Sequence, residues 1–141
     1  MFKNGPVIII EDDIDDQQFL KSVFTKLNYK NEVLFFINGE EALAYLKLPE
    51  IRPFIILSDI ELPLLNGFDL REKLKTDEAL HLRCIPYLFF TKAAEQQAVI
   101  DAYSLCVQGF FIKQTEISQL EKMISRIMEY WKQCATPDSV E

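Results

Sequence analysis

The chain has 141 residues, 49% of them hydrophobic, which suffices to bury one core but not two, so a single domain is expected. Its 22 acidic residues outnumber 15 basic ones for a formal charge of -7, and no cluster of lysine and arginine stands out, which argues against nonspecific binding to nucleic acid. Cys84, Cys106 and Cys134 are odd in number, without CxxC or Cys/His metal spacing, which excludes a disulfide scaffold and predicts reduced thiols in a cytoplasmic chain.

The first apolar run, Val7 to Ile10, is too short for a signal segment or a membrane span and reads as a strand ending in Glu11-Asp12-Asp13. Leu20, Val23, Phe24 and Leu27 form the stripe of a first helix. Val33 to Ile37 is the second strand, Asn38-Gly39 a loop signal, and Leu43 and Leu46 mark the second helix. Phe54 to Leu57 is the third strand, running into Ser58-Asp59, with Pro63 and Asn66-Gly67 as punctuation before a helix carrying Leu70 and Leu74. Tyr87 to Phe90 is the fourth, ending in Thr91-Lys92, followed by a weaker helical pattern over Gln96 to Tyr103. Phe110 to Ile112 is the fifth, ending in Lys113, and Ile117, Leu120, Ile124, Ile127 and Trp131 then step by three and four along one face of the last helix. Residues 133–141 end small, polar and aperiodic, which predicts a flexible tail and no room for a DNA-binding output domain.

None of the five runs alternates with polar residues, as expected of strands buried on both faces. Strand and helix alternate five times, so right-handed helical crossovers between parallel strands give a three-layer α/β sandwich. In open α/β sheets, ligands bind beyond the carboxyl ends of the strands. Those ends carry Glu11-Asp12-Asp13, Ser58-Asp59, Thr91-Lys92 and Lys113.

If the first and third strands are neighbours, Glu11, Asp12 and Asp59 crowd one edge, where repulsion raises their pKa values unless a hard cation such as Mg²⁺ relieves it. Asp12 and Asp59 are the candidate direct ligands, with Glu11 acting directly or through water. A carboxylate is also a nucleophile toward phosphorus, and Asp59, ending the central strand, is best placed. The Lys113 ammonium and Thr91 hydroxyl supply the charge and hydrogen bonds that phosphoryl oxygens need. Taken singly, each residue has a structural explanation: Asp12, Asp13 or Asp15 as a cap of the first helix, Asp59 as a loop former, Thr91 as a cap, Lys113 as a solvated charge. Together they make a chemically complete set that neither composition nor periodicity requires.

These residues resemble the response-regulator receiver domain over residues 5–132. Ile8-Ile9-Ile10-Glu11-Asp12 is similar to its first strand and acidic pair, Phe54 through Gly67 to its phosphoacceptor strand and loop, Ile85 through Thr91 to its fourth strand, and Gly109 through Lys113 to its fifth. The resemblance implies a doubly wound, flavodoxin-like (βα)5 fold with strand order 2-1-3-4-5. It implies Asp59 as phosphoacceptor, Glu11, Asp12, Asp59 and the backbone carbonyl of Glu61 around Mg²⁺, and Thr91 and Lys113 on the phosphoryl oxygens. The implied donor is a histidine kinase or a phosphohistidine-bearing phosphotransfer protein, with small acyl phosphates as substitutes. The implied output is a two-state switch through Thr91 and Phe110, read by a partner on the face of the fourth helix, fifth strand and fifth helix (the α4-β5-α5 face of that count). Glu11-Asp12-Asp13, Lys75-Thr76-Asp77 and Tyr130-Trp131 look most like small single-domain regulators of the phytochrome-associated kind, and Tyr130 with Trp131 offers a surface for a homodimer.

Four positions depart from the family pattern. Gln114 follows Lys113 where proline with a cis bond is usual; a cis bond before a non-proline costs about 3 kcal/mol, so a trans bond and a reshaped loop are expected. Glu61 adds a charge two positions after Asp59 that tunes phosphoryl lifetime, with Lys92 offsetting it. Phe110 carries no hydroxyl and would switch by burial alone. Cys106 stands in a glycine position, where a left-handed backbone is costly, so a different helix ending is expected. Two rival readings remain open: a receiver-like binding module that works without phosphorylation, and, ranked lower, an aspartate-based phosphatase, for which Glu61 replaces the usual second aspartate.

Overall fold

A computed structural model of the chain describes residues 1–137 and residue 140. The elements follow in the order β1 (Val7–Ile10), α1 (Ile14–Leu27), β2 (Val33–Phe36), α2 (Gly39–Leu46), β3 (Ile55–Ser58), α3 (Gly67–Thr76), α4 (Glu78–His81), β4 (Tyr87–Thr91), α5 (Gln96–Ser104), β5 (Gly109–Ile112) and α6 (Ile117–Gln133). The strands form one parallel sheet in the order β2-β1-β3-β4-β5, the doubly wound arrangement. Among the described residues no helix is long and apolar enough to cross a membrane.

Alternate side chains of β1 enter the two core layers that flank the single sheet of this one domain. Val7 and Ile9 pack with Leu20, Val23 and Phe24 of α1 and Leu120, Ile124 and Ile127 of α6. Ile8 and Ile10 pack with Ala42 and Leu46 of α2 and Leu70 and Leu74 of α3. A strand covered on both faces has no side left for polar alternation, which is why the apolar runs are continuous. β2 departs from that expectation: all four of its residues are half-buried, because it is an edge strand with a neighbour on one side only.

The starts of α1, α2 and α3 are capped by their own sequence. Asp13, Asn38 and Asn66 accept the backbone N–H groups of Asp16, Glu41 and Asp69 at 3.1, 2.8 and 2.9 Å, so of the acids after β1 it is Asp13 that caps α1. α4 is an addition to the expected pattern: Asp77 both ends α3 and caps this single turn through Leu80 N–H at 3.1 Å. The fourth and fifth helices of the sequence reading are therefore α5 and α6.

The ending of α5 corrects a second expectation. Cys106 does adopt the left-handed conformation, with φ 59°, although its Cβ makes that cost about 1–2 kcal/mol. Arg71 of α3 holds it there: its Nε donates to the Leu105 carbonyl at 3.0 Å and its Nη2 to the Cys106 carbonyl at 2.8 Å, while Gln108 Nε2 adds a third bond at 2.9 Å. The polypeptide expected as a tail begins inside α6 at Gln133, and Thr136 is buried. Asp138, Ser139 and Glu141 of that segment lie outside the described residues.

Candidate functional site

Parallel registry sets the site. Ile10 pairs with Ser58, and Asp59 N–H donates to the Ile10 carbonyl at 3.0 Å, so Glu11 and Asp59 leave adjacent strands side by side. On the far side of β3, β4 brings Thr91, and the β4–β5 ladder continues through Lys113 N–H to the Thr91 carbonyl at 2.7 Å. Glu11, Asp59 and Thr91 are buried at 2%, 9% and 5% exposure, which sets them below the solvated rim of the sheet edge.

Lys113 lies among three carboxylates. Its Nζ donates to Glu11 Oε2 at 2.8 Å, Asp59 Oδ2 at 3.1 Å and Asp16 Oδ2 at 3.4 Å. Asp59 Oδ1 accepts the backbone N–H groups of Ile60 at 2.7 Å and Glu61 at 3.3 Å. One oxygen of Asp59 is thus pinned by backbone while the other faces a cation. Gly67, the first residue of α3, lies against this backbone: a Cβ there would stand 2.3 Å from the Asp59 carbonyl oxygen, so only glycine fits.

The charges separate accordingly. Burial pushes the Glu11 carboxyl up to about 8, only partly countered by its hydrogen bond to Lys113. Burial also pushes on Asp59, but the hydrogen bond with Glu11, the charge and hydrogen bond of Lys113, and the Thr91 hydroxyl outweigh it and hold Asp59 below the ordinary carboxylate range. Lys113 is held above the ordinary lysine range: its own burial opposes the charge, and its bonds to Glu11 and Asp59 overcome that. Repulsion alone would raise the whole acidic group; Asp59 goes the other way because Glu11 hydrogen-bonds to it and Lys113 sits within reach of it.

Asp12 stays exposed at the rim. Among the described residues no three Asp, Glu, His or Cys side chains stand together as a preformed cation site. The Lys113 ammonium is instead shared by Glu11 and Asp59. The described residues contain no cis peptide bond, so Lys113-Gln114 is trans as expected, and Lys113 reaches Asp59 all the same. Glu61 is exposed, contributing its backbone N–H to Asp59. Lys92 does not lie with Glu61: its Nζ pairs with Asp16 at 3.3 Å and Asp13 at 3.7 Å. Asp16 is the site residue that sequence reasoning passes over. Its signal is present in the acidic first turn of α1, three residues after the cap, but acids are ordinary there. Phe110 is half-buried beside Phe89, with ring centroids 6.0 Å apart. Trp131 packs on the α1–α6 core, and Tyr130, 64% exposed, stands edge-on to it at 5.0 Å.

Residues 7–125 match the response regulator receiver domain, most of the chain and every strand of the sheet. The chain belongs to that family. As a receiver domain of two-component signalling, it is 25% identical over 135 residues to the response regulator Rcp1 of Synechocystis sp., covering 92% of this chain and 90% of Rcp1. It is 25% identical over 127 residues to the chemotaxis protein CheY-3 of Vibrio cholerae, covering 90% and 94%. Among solved structures, the phosphorylated cyanobacterial phytochrome response regulator RcpA superposes with a TM-score of 0.83 at 26% identity over 94% of this chain and 97% of RcpA. The Mn²⁺-bound form of Rcp1 superposes with a TM-score of 0.78 at 26% identity over 93% and 97%. The receiver domain thus resembles the phytochrome-associated regulators in structure, as the sequence motifs suggest.

Proposed function

We propose that this receiver domain is a cytoplasmic single-domain response regulator that takes a phosphoryl group on Asp59 from a phosphohistidine of a sensor histidine kinase or phosphotransfer protein. The observation that carries the reading is the state of Asp59: buried, charged, with Oδ1 pinned by two N–H groups and Oδ2 facing Lys113. In the transfer, a carboxylate oxygen of Asp59 forms a bond to phosphorus as the P–N bond to the donor histidine breaks and its electron pair returns to the imidazole nitrogen. In the later loss of the signal, water attacks phosphorus, the P–O bond to Asp59 breaks, the carboxylate is regenerated and the water's proton leaves with phosphate or solvent. The chain turns over no other substrate in this reading.

An all-oxygen donor set suits a hard divalent cation, and Rcp1, similar in structure, has an Mn²⁺-bound form. Asp12, Asp59 and the Glu61 backbone carbonyl are the proposed ligands, with Glu11 acting directly or through water, and Mg²⁺ is the proposed ion. When bound, the cation neutralises charge on the transferred phosphoryl oxygens. Lys113 and the Thr91 hydroxyl meet the remaining oxygens. Thr91 moving toward the phosphoryl group frees space for half-buried Phe110 and alters the α5-β5-α6 face, where a downstream protein docks. Ile100, Tyr103, Ile112 and Tyr130 give that face exposed apolar side chains at 50%, 53%, 39% and 64% exposure. The phosphorylation-independent reading leans on Gln114; the contact of Lys113 with Asp59 favours the phosphoacceptor reading over it.

The test is incubation with acetyl phosphate and Mg²⁺ followed by intact-mass measurement. The wild type gains the mass of one phosphoryl group, labile to hydroxylamine, and Asp59→Asn gains none. A wild type that stays unmodified with Mg²⁺ bound and a competent kinase present overturns the reading.

A further inference from the structure

The rim of the site carries a charge arrangement that phosphoryl transfer alone does not call for. Asp16, in the first turn of α1, presents one carboxylate oxygen to two lysines at once, Lys113 at 3.4 Å and Lys92 at 3.3 Å. Asp16 is not in contact with Asp59 in its own right; it reaches the acceptor through the ammonium they share. Lys92 is 65% exposed along its side chain and pairs with Asp13 as well, at 3.7 Å, while Asp13 Oδ1 is engaged as the cap of α1. Lys92, Asp16 and Lys113 therefore form a chain of alternating charge that runs from solvent to the phosphoacceptor.

From this arrangement, and resting on the function proposed above, we infer that Asp16 is a positioning residue that competes with the incoming phosphoryl group for Lys113, and that Lys92 sets the strength of that competition. During transfer, negative charge gathers on the phosphoryl oxygens, and an ammonium already shared with a third carboxylate answers that charge less fully. Lys92 draws the same Asp16 oxygen outward and so leaves more of Lys113 for the phosphoryl group. Among the described residues Lys92 forms its ion pairs with Asp13 and Asp16, and of these two Asp16 alone also contacts Lys113, so Asp16 is the contact that links Lys92 to Lys113.

The experiment measures the rate at which full-length protein gains a phosphoryl group from acetyl phosphate at saturating Mg²⁺. In that reaction an Asp59 oxygen bonds to phosphorus, the P–O bond to the acetyl group breaks and acetate leaves with the electron pair. Asp16→Asn is expected to react about two- to fivefold faster than the wild type, and Lys92→Met about two- to fivefold slower, the range for one partly exposed ion pair. Lys92→Arg keeps the wild-type rate, and the double variant Asp16→Asn/Lys92→Met reacts as Asp16→Asn does. The epistasis and the arginine rescue are readouts that a purely structural role would not produce, and Lys92, being exposed, can be replaced without disturbing the core. An Asp16→Asn variant no faster than wild type, or a Lys92→Met change that persists in the Asp16→Asn background, overturns the inference while a phosphorylated wild type leaves the function standing. A wild type that takes no phosphoryl group overturns both.

Discussion

Glu11 and Asp59 are two carboxylates a strand apart with opposite fates, and this makes a pH dependence that can be worked out in sign. Glu11 is raised to about 8 from an ordinary 4.5, so between those values the folded chain binds a proton that the unfolded chain has lost. Its contribution to stability is present below pH 4.5 and falls away as pH rises toward 8. Asp59, held low, contributes fully above the ordinary carboxylate range and loses its share only in acid; Lys113, held high, loses its share only in strong base. From pH 5 to 8 the slope at the site is therefore that of Glu11. Urea denaturation of metal-free protein is expected to show a lower midpoint at pH 8 than at pH 6, and Mg²⁺ to raise the midpoint more at pH 8, since the cation and the proton compete for the same oxygens. A flat profile with and without Mg²⁺ would count against a raised Glu11 carboxyl whose proton the cation displaces. The strand-end residues are legible in the sequence because position and chemistry coincide there. The partners of Asp16 and Lys92 are not, because an ion pair across 76 positions leaves no local pattern.

Arg71 and Cys106 illustrate what an element cannot tell about itself. Nothing near Cys106 in the chain announces a left-handed residue; the donors that stabilise its carbonyl come from α3, 35 residues earlier, and from Gln108. Replacing Cys106 with glycine is expected to relieve the Cβ crowding and raise stability by about 1 kcal/mol, seen as a higher melting temperature. Arg71→Ala should do the reverse, lowering stability by about 1.5–3 kcal/mol through the loss of charge-assisted bonds to Leu105 and Cys106. If Cys106→Gly is neutral or destabilising, the strain argument fails. The short α4 escapes notice for a related reason: four residues are too few to show a helical period, and only its capping Asp77 hints at it.

At the scale of the molecule, the alternation of five strands with helices is enough to give the class and the parallel sheet. The order 2-1-3-4-5 comes with the family resemblance rather than with the apolar pattern. Periodicity cannot distinguish an edge strand rich in Val, Leu and Phe from a central one, which is why β2 reads as fully buried and is not. The central strands contribute most to the two cores. Leu57 of β3 is wholly buried in the α1–α6 core, and Leu57→Ala is expected to cost about 2–5 kcal/mol by denaturant titration. Its side chain lies in the α1–α6 layer, on the opposite face of β3 from Ile56, and brings no polar group to the site, so on the proposed function the surviving folded protein should still accept a phosphoryl group.

The first turn of α3 has a consequence for tolerance to genetic change. Around Gly67, an added methyl group would meet the Asp59 carbonyl at 2.3 Å, the Phe89 ring at 2.8 Å and the Ile60 Cα at 3.0 Å, and two of those neighbours are backbone that cannot swing aside. A mutational scan is expected to find this glycine as intolerant as Asp59, the proposed acceptor, yet for the opposite reason. Asp59 is constrained by the bond it is proposed to make; Gly67 is constrained because the space beside the Asp59 backbone is already taken.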